Sequence, residues 1–219
     1  MEEQHSNTNA RTPGRDVLKS AKKSIFALHR GNMKQARSEI EKASKCANKI
    51  EKEFLVAQPS LRKGSYGNSV EEWAEARLFE YWLLWVSDSE KKRVPFLLHN
   101  EIRKEIEMTE DEYLGGLIDL TGEIGRWAVA RAAQRDSDSV ERALASCRKI
   151  QEAVLALGGA APYRVRKKMS DLERNAEKMQ KILYELALVR ASGRRTMEVS
   201  GGNNGGSDQK KGGDDGETN

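Results

Sequence analysis

Cysteine and proline are scarce, with only two cysteines and four prolines in 219 residues. Cys46 and Cys147 have no Cys-x-x-Cys context, and the pattern favours two reduced, packed thiols in a reducing compartment. Because proline interrupts helices, its scarcity together with a charged fraction of 33% favours long helices with solvated faces.

The sequence also lacks an apolar run of membrane-spanning length and a signal peptide, so we expect a cytoplasmic protein with no membrane partner. Its net charge of +4 is too small to indicate nucleic acid by itself. The apolar fraction of 37% is low for a monomeric globule but adequate for a helical protein that hides further surface by assembling.

No strand pattern and no internal repeat is present, and apolar residues recur at helical spacing, which predicts an all-α fold of six or seven helices. A polar leader of residues 1–14 and a Gly-rich tail of residues 194–219 are expected to be disordered, which leaves a single domain at 15–193. The helices are predicted at about residues 16–28, 33–55, 69–86, 95–104, 109–134, 136–157 and 162–192.

The stretch Val70–Trp85 is apolar on nearly all sides, which is typical of a helix in the middle of a bundle. Glu72 and Glu75 nevertheless share one of its faces, flanking Phe79. A buried charge is costly unless it is paired or bound to metal, so this pair indicates a chemical role.

A second acidic pair, Asp119 and Glu123, lies four residues apart on the helix predicted at 109–134. Four glycines of this helix imply that another backbone approaches closely, namely Gly115, Gly116, Gly122 and Gly125. The alternative for this pair is a solvated face on which Arg126 is the salt-bridge partner.

Two such helices facing each other would form a cluster of four carboxylates. Carboxylate oxygens suit Mg²⁺ or Mn²⁺, which can polarise a phosphoryl oxygen and activate a water for phosphodiester hydrolysis. A di-iron bundle would instead need Glu-x-x-His pairs on two helices, and such a pair occurs only in the leader, at Glu2 and His5.

Four segments resemble the translin family, in the order in which that family has them. EYLGGLIDLTGEIGRWAVARAAQRD (112–136) is similar to its signature helix, and DLTGE in particular to its translin-associated factor X branch. EWAEA (72–76) resembles the acidic helix of that branch. Two further segments fit the family, ALHRGNMKQAR (27–37) and PYRVRKKMSDLERNAEKMQKILYELALVRASG (162–193).

The resemblance implies a seven-helix bundle that assembles, usually as an octamer, into a hollow shell enclosing nucleic acid. The factor X branch is a metal-dependent endoribonuclease acting on single-stranded RNA, whereas translin lacks the acidic set and is a binding scaffold. Carried over by position, the catalytic carboxylates are Glu72, Glu75 and Asp119, with Glu123 as a further ligand of Mg²⁺ or Mn²⁺. The compact chain suggests a prokaryotic, archaeal version that forms a homo-oligomer.

The alternative function is a non-catalytic scaffold for single-stranded RNA or DNA, in which the acids make salt bridges between helices. Basic candidates for nucleic-acid binding are Arg77, Arg126 and Arg131, with Lys91–Arg93 as a weaker one. The alternative for each of them, favoured for any single residue, is a solvated surface charge. Trp82, Trp85 or Trp127 could stack on bases, although tryptophan at helical spacing is more often part of the core.

Overall fold

The computed structural model describes the backbone of residues 2–88 and 94–201 and the side chains of residues 14–88 and 94–192. Every regular element in this part of the chain is helical. The α-helices are α1 (Glu2–His29), α2 (Met33–Ile50), α3 (Ser65–Ser87), α4 (His99–Ile102), α5 (Glu110–Ala133), α6 (Ser137–Ala156), α7 (Tyr163–Lys167) and α8 (Met169–Gly201). A π-helical turn (Glu51–Leu55) extends α2, and 3₁₀ turns lie at Pro59–Arg62 and Gly158–Ala160.

The predicted all-α fold is confirmed, with six long helices and two short ones in the described residues. The final predicted helix is divided at Lys168 into α7 and α8. Helix α1 begins at Glu2, within the predicted leader, and not at about residue 16. The division into leader, domain and tail stays a prediction. Within the described ranges, no helix is both long enough and apolar enough to cross a membrane.

Helix starts follow the capping residues. Thr109 accepts a hydrogen bond from the backbone N–H of Glu112, and the Glu112 carboxylate accepts one from the N–H of Thr109. Asp136 accepts from the N–H of Ser139 at the start of α6, and Asn32 caps α2. Each of these side chains satisfies a backbone donor that the first helical turn leaves unpaired.

Helices α3 and α5 form the centre of the bundle. Helix α3 packs against α1, α2 and α5, and α5 packs against α3, α6 and α8. Trp73, Phe79 and Trp82 of α3 are fully buried, because the helix has neighbours on several sides. The prediction that Val70–Trp85 is the central helix is therefore confirmed.

Both thiols are free of disulfides, as predicted. Cys147 is buried in the core, and burial raises its pKa to about 12. A thiol in such surroundings stays protonated and unreactive at neutral pH.

Two glycines allow α3 and α5 to approach closely. A Cβ atom on Gly116 would lie 2.8 Å from the Ala74 Cβ and 2.8 Å from the backbone oxygen of Glu71. A Cβ on Gly115 would lie 2.6 Å from the Glu71 carboxyl carbon. The expected close approach is thus found at these two positions and not at the other two. A Cβ on Gly122 would meet only the Asn175 Nδ2, at 3.8 Å, and a Cβ on Gly125 would have no atom within 4 Å.

Replacing Gly116 by Ala should therefore destabilise the protein, because the added methyl group meets backbone atoms of α3. We expect a loss of about 1–3 kcal/mol in the free energy of unfolding, as for other overpacked sites. Urea unfolding followed by far-UV circular dichroism measures it.

Gly125→Ala is the matched control, in the same helix and with open space at the added methyl. Since alanine has the higher helix propensity, this variant should gain up to about 1 kcal/mol. Equal effects of the two substitutions would contradict a special role for the Gly116 contact.

Candidate functional site

The four predicted carboxylates lie on facing sides of the two central helices, Glu72 and Glu75 on α3 and Asp119 and Glu123 on α5. Their charges act on one another. Glu123, Glu72 and Asp119 all raise the pKa of Glu75, and Asp119 and Glu123 raise the pKa of Glu72. The fold therefore brings both acidic pairs together, and we call these four residues the acidic cluster.

Glu75 is the most isolated member of the cluster. Only 8% of its surface is exposed, and it makes no hydrogen bond or ion pair with any residue that the structure describes. Burial, followed by the three neighbouring carboxylates, raises its pKa from 4.5 to about 9. Glu75 consequently holds a proton at neutral pH unless a cation enters the cluster.

The two acids of α5 do have cationic partners. The Lys168 Nζ lies 2.5 Å from the Asp119 Oδ2. Glu123 contacts the His29 Nε2, and its Oε2 lies 2.8 Å from an Arg126 nitrogen. The two α5 carboxylates are therefore paired with basic side chains, whereas the two α3 carboxylates contact no basic side chain among the described residues.

The alternative of a solvated face for Asp119 and Glu123 is correct only in part. Arg126 is indeed a partner of Glu123, as that alternative required. Glu123 is nevertheless 8% exposed, so it is a buried acid rather than a solvated one. Asp119 is half-exposed and pairs with a residue from the α7–α8 junction.

The chemistry of the cluster suits a divalent cation, although its side chains are not arranged around one. Four carboxylates supply the oxygen ligands that Mg²⁺ and Mn²⁺ prefer, and Glu75 carries a buried carboxyl that lacks a partner. In the described part of the chain, no group of three or more acidic, His or Cys side chains has the geometry of a metal site. Asp119 and Glu123 would have to turn from their protein cations to complete one.

Four residues that sequence reasoning missed complete the surroundings of the cluster. Glu71 is buried and binds both Arg164 at 2.9 Å and Lys168 at 3.2 Å. His29 reaches Glu123 from the end of α1. The one available signal was the spacing of Arg164 and Lys168, which are four residues apart. Their acidic partners could not be found from it, because Glu71 lies 93 or more residues earlier in the chain and Asp119 lies 49 residues before Lys168.

The basic candidates for nucleic-acid binding differ in how their charges are used. Arg77 is held by Glu105 at 2.9 Å and Glu80 at 3.2 Å, and these acids raise its pKa against the effect of burial. Arg126 is exposed apart from its contact with Glu123. The weaker candidate, Lys91–Arg93, lies outside the described residues.

Arg131 lies over the ring of Trp127, 4.9 Å from its centroid. Both residues line a cleft of about 360 Å³ that also includes His29. Trp82, by contrast, is a core residue whose indole N–H donates to Ser146. Of the tryptophans considered for stacking, Trp127 is the one shown at a cleft beside the cluster.

The chain is similar to known proteins in sequence. The sequence profile of the translin family matches residues 11–190. Translin-associated protein X of Rattus norvegicus is 24% identical over 200 residues, which cover 78% of this chain and 69% of the rat protein. The proteins of the same name from Mus musculus and Pongo abelii are also 24% identical with the same coverage.

The chain is also similar to solved structures. AfC3PO, in a complex with duplex RNA, matches with a TM-score of 0.72 at 21% identity, over 87% of this chain and 93% of that one. Apo-NeC3PO matches with a TM-score of 0.69 at 17% identity, over 84% and 90% of the two chains. At these identities the likeness establishes the fold.

The raised pKa of Glu75 predicts a pH-dependent stability. Between pH 4.5 and about 9 the folded protein keeps a proton on Glu75 that the unfolded chain has released. Stability should therefore fall as the pH rises through this window, by up to about 1.4 kcal/mol per pH unit for one proton. Urea unfolding in EDTA at several pH values measures the slope.

Glu75→Gln should make this slope shallower and raise stability at the alkaline end, because glutamine has no proton to lose. Some slope should remain, since the pKa of Glu72 is raised too. Glu152→Gln, at an exposed position of α6, is the control. An unchanged slope in the Glu75 variant would contradict the protonated buried carboxyl.

Proposed function

As this chain belongs to the translin family, we propose that it is a Mg²⁺- or Mn²⁺-dependent endoribonuclease that cleaves single-stranded RNA within a homo-oligomeric shell. The observation that carries the proposal is the buried, unpartnered carboxyl of Glu75 among three other carboxylates. Glu72, Glu75 and Asp119 are the proposed catalytic residues, and Glu123 completes the proposed ligand set.

A comparison within the same molecule supports a chemical role for Glu75. The other strongly buried acids in the described residues all have cationic partners. These pairs are Glu71 with Arg164 and Lys168, Glu80 with Arg37 and Arg77, Glu112 with Arg62, and Glu123 with His29 and Arg126. A purely structural acid would be expected to resemble these. Glu75 instead resembles a ligand whose cation comes from solution.

The residues of the chain prepare the reaction in distinct ways. Glu75 holds a proton on its carboxyl group while the cluster has only protein cations, so binding of a divalent cation should release protons. Lys168 and His29 keep Asp119 and Glu123 in place on α5. A bound Mg²⁺ or Mn²⁺ would supply charge stabilisation at the phosphate and a more acidic water.

The substrate class rests on the relatives and on the cleft beside the cluster. AfC3PO has been solved in a complex with duplex RNA. The Arg131–Trp127 pair combines a cation with an aromatic ring, the combination that holds unpaired bases and backbone. We therefore propose single-stranded RNA as the cleaved substrate, with single-stranded DNA as a weaker ligand.

Exposed apolar side chains on α8 support assembly. Tyr184, Leu188 and Val189 are each about half exposed or more and lie in the second half of α8. A self-association surface would bury them, in keeping with the proposed homo-octamer. The proposed location is the cytoplasm.

A non-catalytic scaffold is the second candidate function. It is favoured by the ion pairs of Asp119 and Glu123, since both α5 acids already serve as partners of protein cations. A scaffold of this kind would bind RNA with a strong salt dependence and would not cleave it at any metal concentration.

Cleavage of labelled RNA separates the two functions. The wild-type protein should cut single-stranded RNA with Mg²⁺ or Mn²⁺ and lose that activity in EDTA. Glu75→Ala and Asp119→Ala should both reduce cleavage to the EDTA background, because each removes a proposed ligand. RNA binding and the oligomeric state should be retained in both variants.

Glu152→Ala is the activity control, as this exposed acid lies on α6 outside the cluster. A duplex of the same sequence tests the strand preference. Full cleavage by both cluster variants would contradict the active-site assignment. RNA binding without cleavage by the wild-type protein would establish the scaffold function.

Replacing Arg131 or Arg77 by Ala should affect different properties, RNA binding in the first case and stability in the second. Arg131→Ala should weaken RNA binding and reduce the slope of log K against log salt concentration by about 1, as for loss of one phosphate contact. Arg77→Ala should mainly reduce stability, because it leaves Glu80 and Glu105 without this partner. Fluorescence anisotropy over a salt series and thermal unfolding measure the two effects, and the reverse pattern would contradict the assignment.

A further inference from the structure

We propose that Lys168 is a built-in counter-ion of the acidic cluster, which holds Asp119 in the absence of metal and moves onto Glu71 when a divalent cation binds. This inference rests on the proposed function, since it concerns the cation of the same site. It assigns Lys168 as a positioning residue that competes with the metal for Asp119.

The Lys168 ammonium is shared between two acids. Its Nζ lies 2.5 Å from the Asp119 Oδ2 and 3.2 Å from the Glu71 Oε2. An ammonium group has three donors, so it can keep one acid while it releases the other. The shorter contact is to Asp119, which is the residue needed as a ligand.

The second acid is well suited to keep the lysine. The side chain of Glu71, on α3, is packed against α5 and is only 7% exposed. Its carboxylate is therefore held in place and stays buried beside the Lys168 ammonium. Arg164 also holds it, at 2.9 Å. Because Arg164 also donates to Asn68, Glu71 lies in a fixed set of contacts that can receive the full charge of Lys168.

The accessibility of the two partners allows the exchange. The Asp119 side chain is 39% exposed and that of Lys168 is 25% exposed, so neither is confined by packing on all sides. Lys168 also lies at the break between α7 and α8 rather than inside a helix. A small rotation of the two side chains would separate them without a change in the helices.

Charge explains why the two cations exclude each other. A divalent ion bound to Asp119 would lie within a few ångströms of the ammonium, and like charges at such distances repel strongly in a half-buried site. The ion pairs of Asp119 and Glu123 also account for the lack of a metal-site geometry among the described residues. Lys168 therefore keeps an otherwise repulsive cluster assembled until the metal arrives.

Titration of the full-length protein with Mn²⁺, by isothermal calorimetry and by thermal shift, tests the proposal. Lys168→Met should bind Mn²⁺ about tenfold more tightly than the wild type, since the competing charge is gone. Without metal it should melt at a lower temperature than the wild type, and Mn²⁺ should raise its melting temperature by more. Lys168→Arg, which keeps the charge, should bind Mn²⁺ as the wild type does.

The matched control is Lys167→Met, which removes the same charge from the adjacent residue. The Lys167 Nζ lies over the Tyr163 ring, 4.6 Å from its centroid, and the described contacts do not link it to the cluster. This variant should leave Mn²⁺ affinity unchanged. Lys168→Gln keeps a hydrogen-bonding side chain without the charge, and it replaces Lys168→Met if that variant fails to fold.

Asp119→Asn locates the effect, because adding Lys168→Met to it should give no gain in affinity. Equal or weaker Mn²⁺ binding by both uncharged Lys168 variants would overturn the proposal, and the proposed nuclease would stand if the wild type binds Mn²⁺ and cleaves RNA. If neither the wild type nor these variants bind Mn²⁺, the metal site itself falls, and both proposals with it.

Discussion

The contact between α3 and α5 at Gly115 and Gly116 is the constraint on which the rest of the structure depends. With no Cβ on either glycine, the backbone of α5 lies against Ala74 and Glu71 of α3. On α3, Glu72 and Glu75 are adjacent in sequence to these contact residues, and on α5, Asp119 and Glu123 follow the glycines within about two turns. A wider separation of the helices would weaken the electrostatic coupling that raises the pKa of Glu75.

This close approach creates an electrostatic cost, which the remaining helices reduce. Helix α1 contributes His29 to Glu123, and the α7–α8 junction contributes Lys168 to Asp119. These partners come from distant parts of the chain, so the cluster requires the complete bundle. Among the described residues, neither Glu72 nor Glu75 contacts a protein cation, and that incomplete compensation distinguishes a candidate metal site from a set of structural ion pairs.

The same balance of charges relates stability to the proposed activity. A protein that buried four fully paired carboxylates would have little affinity for a divalent cation. In a protein with no counter-ions at all, repulsion between the four carboxylates would destabilise the bundle before a metal bound. Partial neutralisation of the carboxylates by accessible protein cations lies between these two cases. A side chain such as Lys168 can then move away while the helices stay in place. The family relationship and this arrangement both support the proposed function.

Apolar periodicity along the chain was enough to predict the all-α fold and the central helix at Val70–Trp85, and capping residues predicted the starts of α5 and α6. These features depend on neighbours within a few residues. The acidic pairs were visible for the same reason. The partners of those acids were not predictable, since Lys168 and His29 lie 49 and 94 residues from the carboxylates that they contact. Only the packed bundle determines which charges meet, because pairing across such separations depends on helix positions that no local pattern specifies.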